Sequence, residues 1–148
     1  MDSQRRVGRF AGEEGAAIVE MALVGVLLVL LLFGIISFGY LMGFRQNMVQ
    51  AAAEGARRGA VAKPGSEAGN EALGGASDAV HAFGQDCGVG GMNCSVSVDR
   101  CENNITVQCV TVALDYDYQD FPLLPDVPIV GALLPKHITT QSVAEINP

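Results

Sequence analysis

From Met21 to Phe44 the chain reads MALVGVLLVLLLFGIISFGYLMGF, 24 positions without a charge. At about 1.5 Å per residue a helix of that length reaches about 36 Å, against a hydrocarbon core of about 30 Å. It is long enough to span a bilayer with some tilt. The apolar stretch opens at Gly15 and holds one charge, Glu20, near its start. A carboxylate inside such a segment costs about 2.5–3.5 kcal/mol on insertion scales, so it marks a functional candidate. Past Phe44 the pattern changes but stays helical. Residues 46–62, QNMVQAAAEGARRGAVA, are alanine-rich with no proline until Pro64. Met48, Ala52, Gly55 or Ala56, and Gly59 share one face at these spacings. A continuous helix from about Ala16 to Ala62 would be roughly 70 Å long. Gly39-xxx-Gly43 and Gly55-xxx-Gly59 recur along it, a spacing that lets helices approach closely. Glycine is also common in transmembrane helices without such a role.

Beyond Pro64 the periodicity shortens. Leu73, Ala76, Val80 and Phe83 form a helical stripe, with Ser66 as the candidate N-cap, interrupted by Gly69, Gly74 and Gly75. Strand patterns follow. Cys94–Val98 alternates, and Asn103-Asn104 marks a turn before Ile105. In the next strand Ile105, Val107 and Cys109 share one parity, and Val110, Val112, Leu114 and Tyr116 the other. A bulge near Cys109-Val110, or burial of both faces, would explain the switch. His137–Ile146 is a further β-prone segment. Between them DFPLLPDVPIVGALLP carries four prolines and reads as an ordered loop whose aliphatics cap the core or offer a contact surface. The class is therefore α+β: a long N-terminal transmembrane helix, a short helix and a small antiparallel sheet. About 30 of 148 residues go to the membrane segment, and the remainder makes one small domain.

Charge separates the two parts. Through Pro64 there are seven basic and five acidic residues; after it, two basic (Arg100, Lys136) and eleven acidic. The acidic part argues against nucleic-acid binding, which needs Lys and Arg against phosphates. Arg5, Arg6 and Arg9 form a short basic leader, which places the N-terminus in the cytoplasm and the C-terminal domain outside, although Arg45, Arg57 and Arg58 follow the span. An outside domain of this size with Cys87, Cys94, Cys101 and Cys109 favours disulfides. Three connectivities exist. If 94–98 and 105–109 form a hairpin, Cys94 faces Cys109 and leaves Cys87 for Cys101. Two residues eight apart on one extended strand could not bridge, which disfavours Cys101–Cys109. Cys94–Cys109 and Cys87–Cys101 are the expected pairs. The spacing lacks the short C-x₂₋₄-C of a zinc site.

The N-terminus departs from an ordinary signal peptide. An h-region is about 7–15 residues, and no A-x-A-like site follows the apolar run. The small residue that could be cut, Gly15, precedes the run, and cleavage there would leave a hydrophobic helix beginning Ala16-Ala17-Ile18-Val19-Glu20. Gly, four residues, Glu and an apolar helix resemble the processing site of type IV pilin-like proteins. The longer stretch GAAIVEMALVGVLLVLLLFGIISFGYLMGFRQNMVQAAAEGARRGAV is similar to the TadE-like proteins of the tight-adherence (Tad) pilus system. ITVQCVTVALDYDYQDFPLLP and HITTQSVAEI resemble the C-terminal strands of that family. Met21 stands where many pilin-like sites carry an aromatic. The resemblance implies that a prepilin peptidase cuts after Gly15 and that Ala16 carries the new amine. Glu20 would then pair with an N-terminal amine during assembly. It also implies the partners: other minor pilins, the major pilin and inner-membrane platform proteins, besides the lipid bilayer. The expected organisation is a leader over 1–15, a transmembrane and stalk helix over 16–62, and an extracytoplasmic head over 63–148.

Other chemistry is sparse. His81 and His137 have no sequence partner suggesting a triad or a metal site, and read as surface or packing residues. Asp115-x-Asp117-x-x-Asp120 could offer oxygens to calcium but lacks the glycine turn and distal glutamate of an EF-hand, so it reads as a solvated strand end. No phosphate loop, paired catalytic carboxylates or activated nucleophile is evident, so neither enzyme activity nor a cofactor or metal is expected. The competing reading is a signal-anchored extracytoplasmic binding module that is never cleaved.

Overall fold

The computed structural model describes residues 10–102, 104–123 and 135–146. Residues 1–9 of the expected leader, Asn103 of the expected turn, 124–134 of the proline-rich loop and 147–148 lie outside the described residues. The chain divides into two compact units, Met1–Tyr40 and Leu41–Pro148.

With no proline before Pro64, the apolar run and the alanine-rich stretch after it form helix α1, Phe10–Val61. In the first unit its apolar side chains face outward: Ile18, Leu27 and Ile35 are each at least 60 % exposed. The helix is long and apolar enough to cross a membrane. That exposure is the solvation expected of a segment built for lipid.

In the second unit, the rest of α1 joins α2 (Ser66–Ala82) and a three-stranded antiparallel sheet, β1 (Met92–Cys101), β2 (Asn104–Asp117) and β3 (His137–Glu145), in the order β1-β2-β3. The residue at the N-cap of α2 is Gly65, with φ 98°, and no side chain caps the helix; Ser66 is already its first turn. Its buried face is Ala68, Ala72, Gly75, Ala76 and Val80, while Leu73 of the expected stripe points outward. Small side chains line that face because α1 comes close to it.

Strand register explains the alternation. Val98 pairs with Val110, Val96 with Val112 and Cys94 with Leu114, and on the other side Leu114 pairs with Thr140 and Tyr116 with Ile138. These residues share the face turned to the helices, where Val110, Val112, Leu114 and Tyr116 are buried. The opposite face is mostly polar, with Asn93, Ser95, Ser97, Thr111, Asp115, Thr139 and Gln141 beside Ala113 and the exposed Val143. The parity switch expected near Cys109-Val110 has its origin nearby. Arg100 pairs with Gln108 while Cys101 pairs with Asn104, so three residues of β2, 105–107, have no partner on β1. A local excess of this kind changes which parity faces the core.

The core of this unit is shared. Met48, Ala51, Ala52 and Ala56 of α1 are buried together with Ala72, Ala76, Val80, Val112 and Leu114. The stalk half of α1 is thus one wall of the head.

Candidate functional site

The predicted processing residues occupy α1 in the first unit. Gly15, Ala16 and Glu20 lie on continuous helix, which runs back past Ala16 to Phe10. Ala16 and Glu20 are one turn apart, so they share a face. Both are exposed, and a Cβ on Gly15 would meet nothing within 4 Å.

The two glycine pairs have different surroundings. At Gly39 and Gly43 an added Cβ would meet nothing within 4 Å. At Gly55 it would lie 2.7 Å from the Ala72 carbonyl oxygen, and at Gly59 2.8 Å from Ala72 Cβ and 2.9 Å from the Ala68 carbonyl oxygen. The backbone of α1 thus meets α2 across Gly55 and Gly59, the close approach that small residues permit. A charged cluster reinforces it. The Arg57 guanidinium donates both Nε and Nη2 to the Glu54 carboxylate at 2.9 Å. Arg58 donates Nε to Glu54 at 3.0 Å and Nη1 to Asp78 of α2 at 2.8 Å. Hydrogen bonds from Arg57, then Arg58, hold the Glu54 carboxyl down at about 2. Spacings of three and four residues show the α1 part of this cluster in the sequence; nothing in the sequence points to Asp78.

The disulfides correct the expected pairing. Cys87 is bonded to Cys94 and Cys101 to Cys109, with Cα separations of 5.4 and 5.0 Å. In the observed register Cys94 faces Leu114, and Cys109 faces Asp99. The unpaired residues 105–107 slide β2 along β1, so Cys94 cannot reach Cys109. The chain also turns back between Cys101 and Cys109, so they are not eight residues apart on one straight strand. Cys101 thereby becomes a diagonal neighbour of Cys109 across the ladder.

His137, a surface residue by sequence, donates Nδ1–H to Asp115 Oδ1 at 3.1 Å. That bond, aided by the charges of Asp115, Asp117 and Asp120, raises the imidazole above its ordinary 6.5. Asp117 Oδ1 accepts from the backbone N–H groups of Gln119 and Asp120, at 3.0 and 3.1 Å. The three aspartates therefore serve an ion pair and a turn, and no cluster of three or more metal-ligating side chains occurs among the described residues. His81 is exposed, 4.0 Å from Asp86.

Against protein-family models, residues 15–57 match the family described as TadE-like protein. The match takes in Gly15, Glu20, the apolar run and most of the stalk, and leaves α2 and the sheet outside it. No curated protein and no solved structure matches the chain.

Proposed function

We propose that this chain, TadE-like over residues 15–57, is a minor pilin or pseudopilin needed to assemble a Tad-type pilus used in surface adhesion. The observation that carries the reading is Gly15 and Glu20 at the head of a membrane-capable helix inside the matched segment. A leader over 1–15 is removed by a prepilin peptidase after Gly15. Ala16 then bears the α-amino group, one turn from Glu20. An amine from its own or a neighbouring subunit pairs with the carboxylate, which relieves the cost of a lone charge in lipid. Residues 16–62 act as membrane reservoir and then packing stalk, and residues 63–148 meet other minor pilins, the major pilin and the platform proteins of the inner membrane. The protein works by assembly and not by catalysis. The N-terminus is cytoplasmic, and two disulfides in the head support an oxidising, extracytoplasmic location for it.

One observation favours the alternative, an uncleaved signal-anchored binding module: α1 is helical through Gly15. A protease needs extended backbone, so cleavage here requires the helix to unwind locally. The intact mass and N-terminal sequence of protein from its native membrane, with and without the cognate peptidase, separate the readings. A chain beginning at Ala16 only when the peptidase is present supports the pilin pathway; a retained basic leader supports the anchored module. Glu20→Ala should insert normally and yield no pili, and normal pili in that variant would refute the pairing role.

A further inference from the structure

Two stretches of the head carry Asn, a residue other than proline, then Ser or Thr: Asn93-Cys94-Ser95 and Asn104-Ile105-Thr106. That pattern is the acceptor signature for N-linked glycosylation on the surface of chains sent across a membrane. The fold treats the two differently. Asn93 lies within β1, paired with Asp115, and Cys94 is bonded to Cys87. The Ser95 hydroxyl donates to the Ala113 carbonyl at 3.3 Å, so the neighbouring strand engages it and Asn93 does not.

Asn104 opens β2 at the tip of the β1–β2 hairpin, where its strand partner is Cys101. The next three residues, 105–107, pair with no strand among the described residues. β3 pairs with β2 only from Cys109 onward, and the Ile146 N–H donates to the Gln108 carbonyl at 2.8 Å. Asn104 and 105–107 therefore lie past the end of the third strand. Glu102, Asn104 and Thr106 are all exposed there. Exposed tips of this kind are where enzymes gain access to a folded chain.

The side chains of the second sequence are already in contact. Thr106 donates its hydroxyl to Asn104 Oδ1 at 2.6 Å and its backbone N–H to the same oxygen at 3.1 Å. A backbone N–H can only donate, so the accepting atom is the amide oxygen. Nδ2, the atom a glycan is joined to, has no partner among the described residues. Thr106 thus fixes which end of the amide is presented.

We propose that Asn104 is an N-glycosylation site. A membrane oligosaccharyltransferase acting on the extracytoplasmic side joins Nδ2 to the anomeric carbon of a glycan carried on a lipid diphosphate. The N–C bond forms as the C–O bond to phosphate breaks. The lipid diphosphate leaves with the bonding electrons, and the amide releases one proton. The attached glycan is bulky and solvated, so this end of the sheet stays in solvent and subunit contacts fall elsewhere on the head. The site rests on the extracytoplasmic placement of the head, and the experiment separates the two.

Trypsin cuts after Arg100 and Lys136, which puts Asn93 and Asn104 on different peptides. Full-length protein from native membranes would be reduced, alkylated, digested and mapped by electron-transfer fragmentation. In parallel, a membrane-impermeant amine reagent on spheroplasts reports the side of the head through the exposed Lys136. Peptide 101–136 should be heavier by a sum of sugar residues located on Asn104. Asn104→Gln and Thr106→Ala should abolish the increment. Thr106→Ser, which keeps the hydroxyl, should retain it, and Asn93→Gln should leave it unchanged. Lys136 labelled with Asn104 bare, or an increment that survives Asn104→Gln, overturns the glycosylation site and leaves the placement intact. Lys136 protected in spheroplasts and labelled only after lysis removes the placement and the proposal together.

Discussion

Gly59 and Gly39 are the same residue in the same helix, and the space around them gives opposite consequences for a methyl group. At Gly59 the new carbon would press on the Ala68 carbonyl and on Ala72, neither of which is the end of a flexible side chain. Gly59→Ala should lose about 1–3 kcal/mol through overpacking, outweighing the roughly 1 kcal/mol that alanine gains in helix propensity. Gly39→Ala should be neutral or slightly stabilising, and thermal unfolding of the full chain in detergent compares them. Glu54 makes a pH prediction of definite sign. Its folded value of about 2 lies below the ordinary 4.5, so its contribution is present above pH 4.5 and is lost as pH falls toward 2. Glu54→Gln should flatten the dependence of the melting temperature on pH in that window. His137 works in the other direction. Its raised value means its contribution is present below about pH 6.5 and disappears as pH rises through the folded value. In Asp115→Asn the His137 titration followed by NMR should move down; an unchanged titration would show that the 3.1 Å contact does not form in solution.

At the level of elements, the irregularity in β2 decides the covalent framework. Shifting β2 by the unpaired residues 105–107 sets Cys101 beside Cys109 and leaves Cys94 to the loop that holds Cys87. Peptide mapping under non-reducing conditions should recover Cys87 linked to Cys94 and Cys101 linked to Cys109. A Cys94–Cys109 peptide would overturn the register. Replacing Cys101 and Cys109 together by serine should cost about 2–4 kcal/mol, since the bond closes the β1–β2 hairpin. The α1–α2 contact is set by a different economy of size. Glycines on one helix and alanines on the other let the backbones meet, and Arg58 links them by bonding Glu54 and Asp78 at once.

For the whole molecule, the boundary that matters for stability falls at Leu41 and not at the end of α1. Met48, Ala51, Ala52 and Ala56 fill the head's core from the stalk side. Truncating a buried methionine such as Met48 costs about 2–5 kcal/mol, and removing it with Leu41, Phe44 and the alanine face they belong to exceeds the stability of a small domain. A fragment starting at Leu41 should therefore unfold cooperatively by circular dichroism, and one starting at Lys63 should show no such transition. A cooperative transition in the shorter fragment would mean that α2 and the sheet form a core without α1.

The sequence by itself determined the α+β class, the membrane-capable helix, the shared face of Met48, Ala52 and Gly59, and the three strands. Each follows from a pattern local to its element: a charge-free run, a helical spacing, an alternation of two. Gly15 and Glu20 lie inside the segment that matches the TadE-like family model. Only the tertiary structure decided the cysteine pairs, because a bulge changes register without altering the residues on either side of it. Only it showed that Gly55 and Gly59 face α2 while a Cβ at Gly39 or Gly43 would meet nothing within 4 Å among the described residues, since spacing says which residues share a face and not what lies opposite. The bonds of Arg58 to Asp78 and of His137 to Asp115 join residues 20 and 22 positions apart. Such pairs depend on how elements cross, and that is settled by packing small side chains at close range.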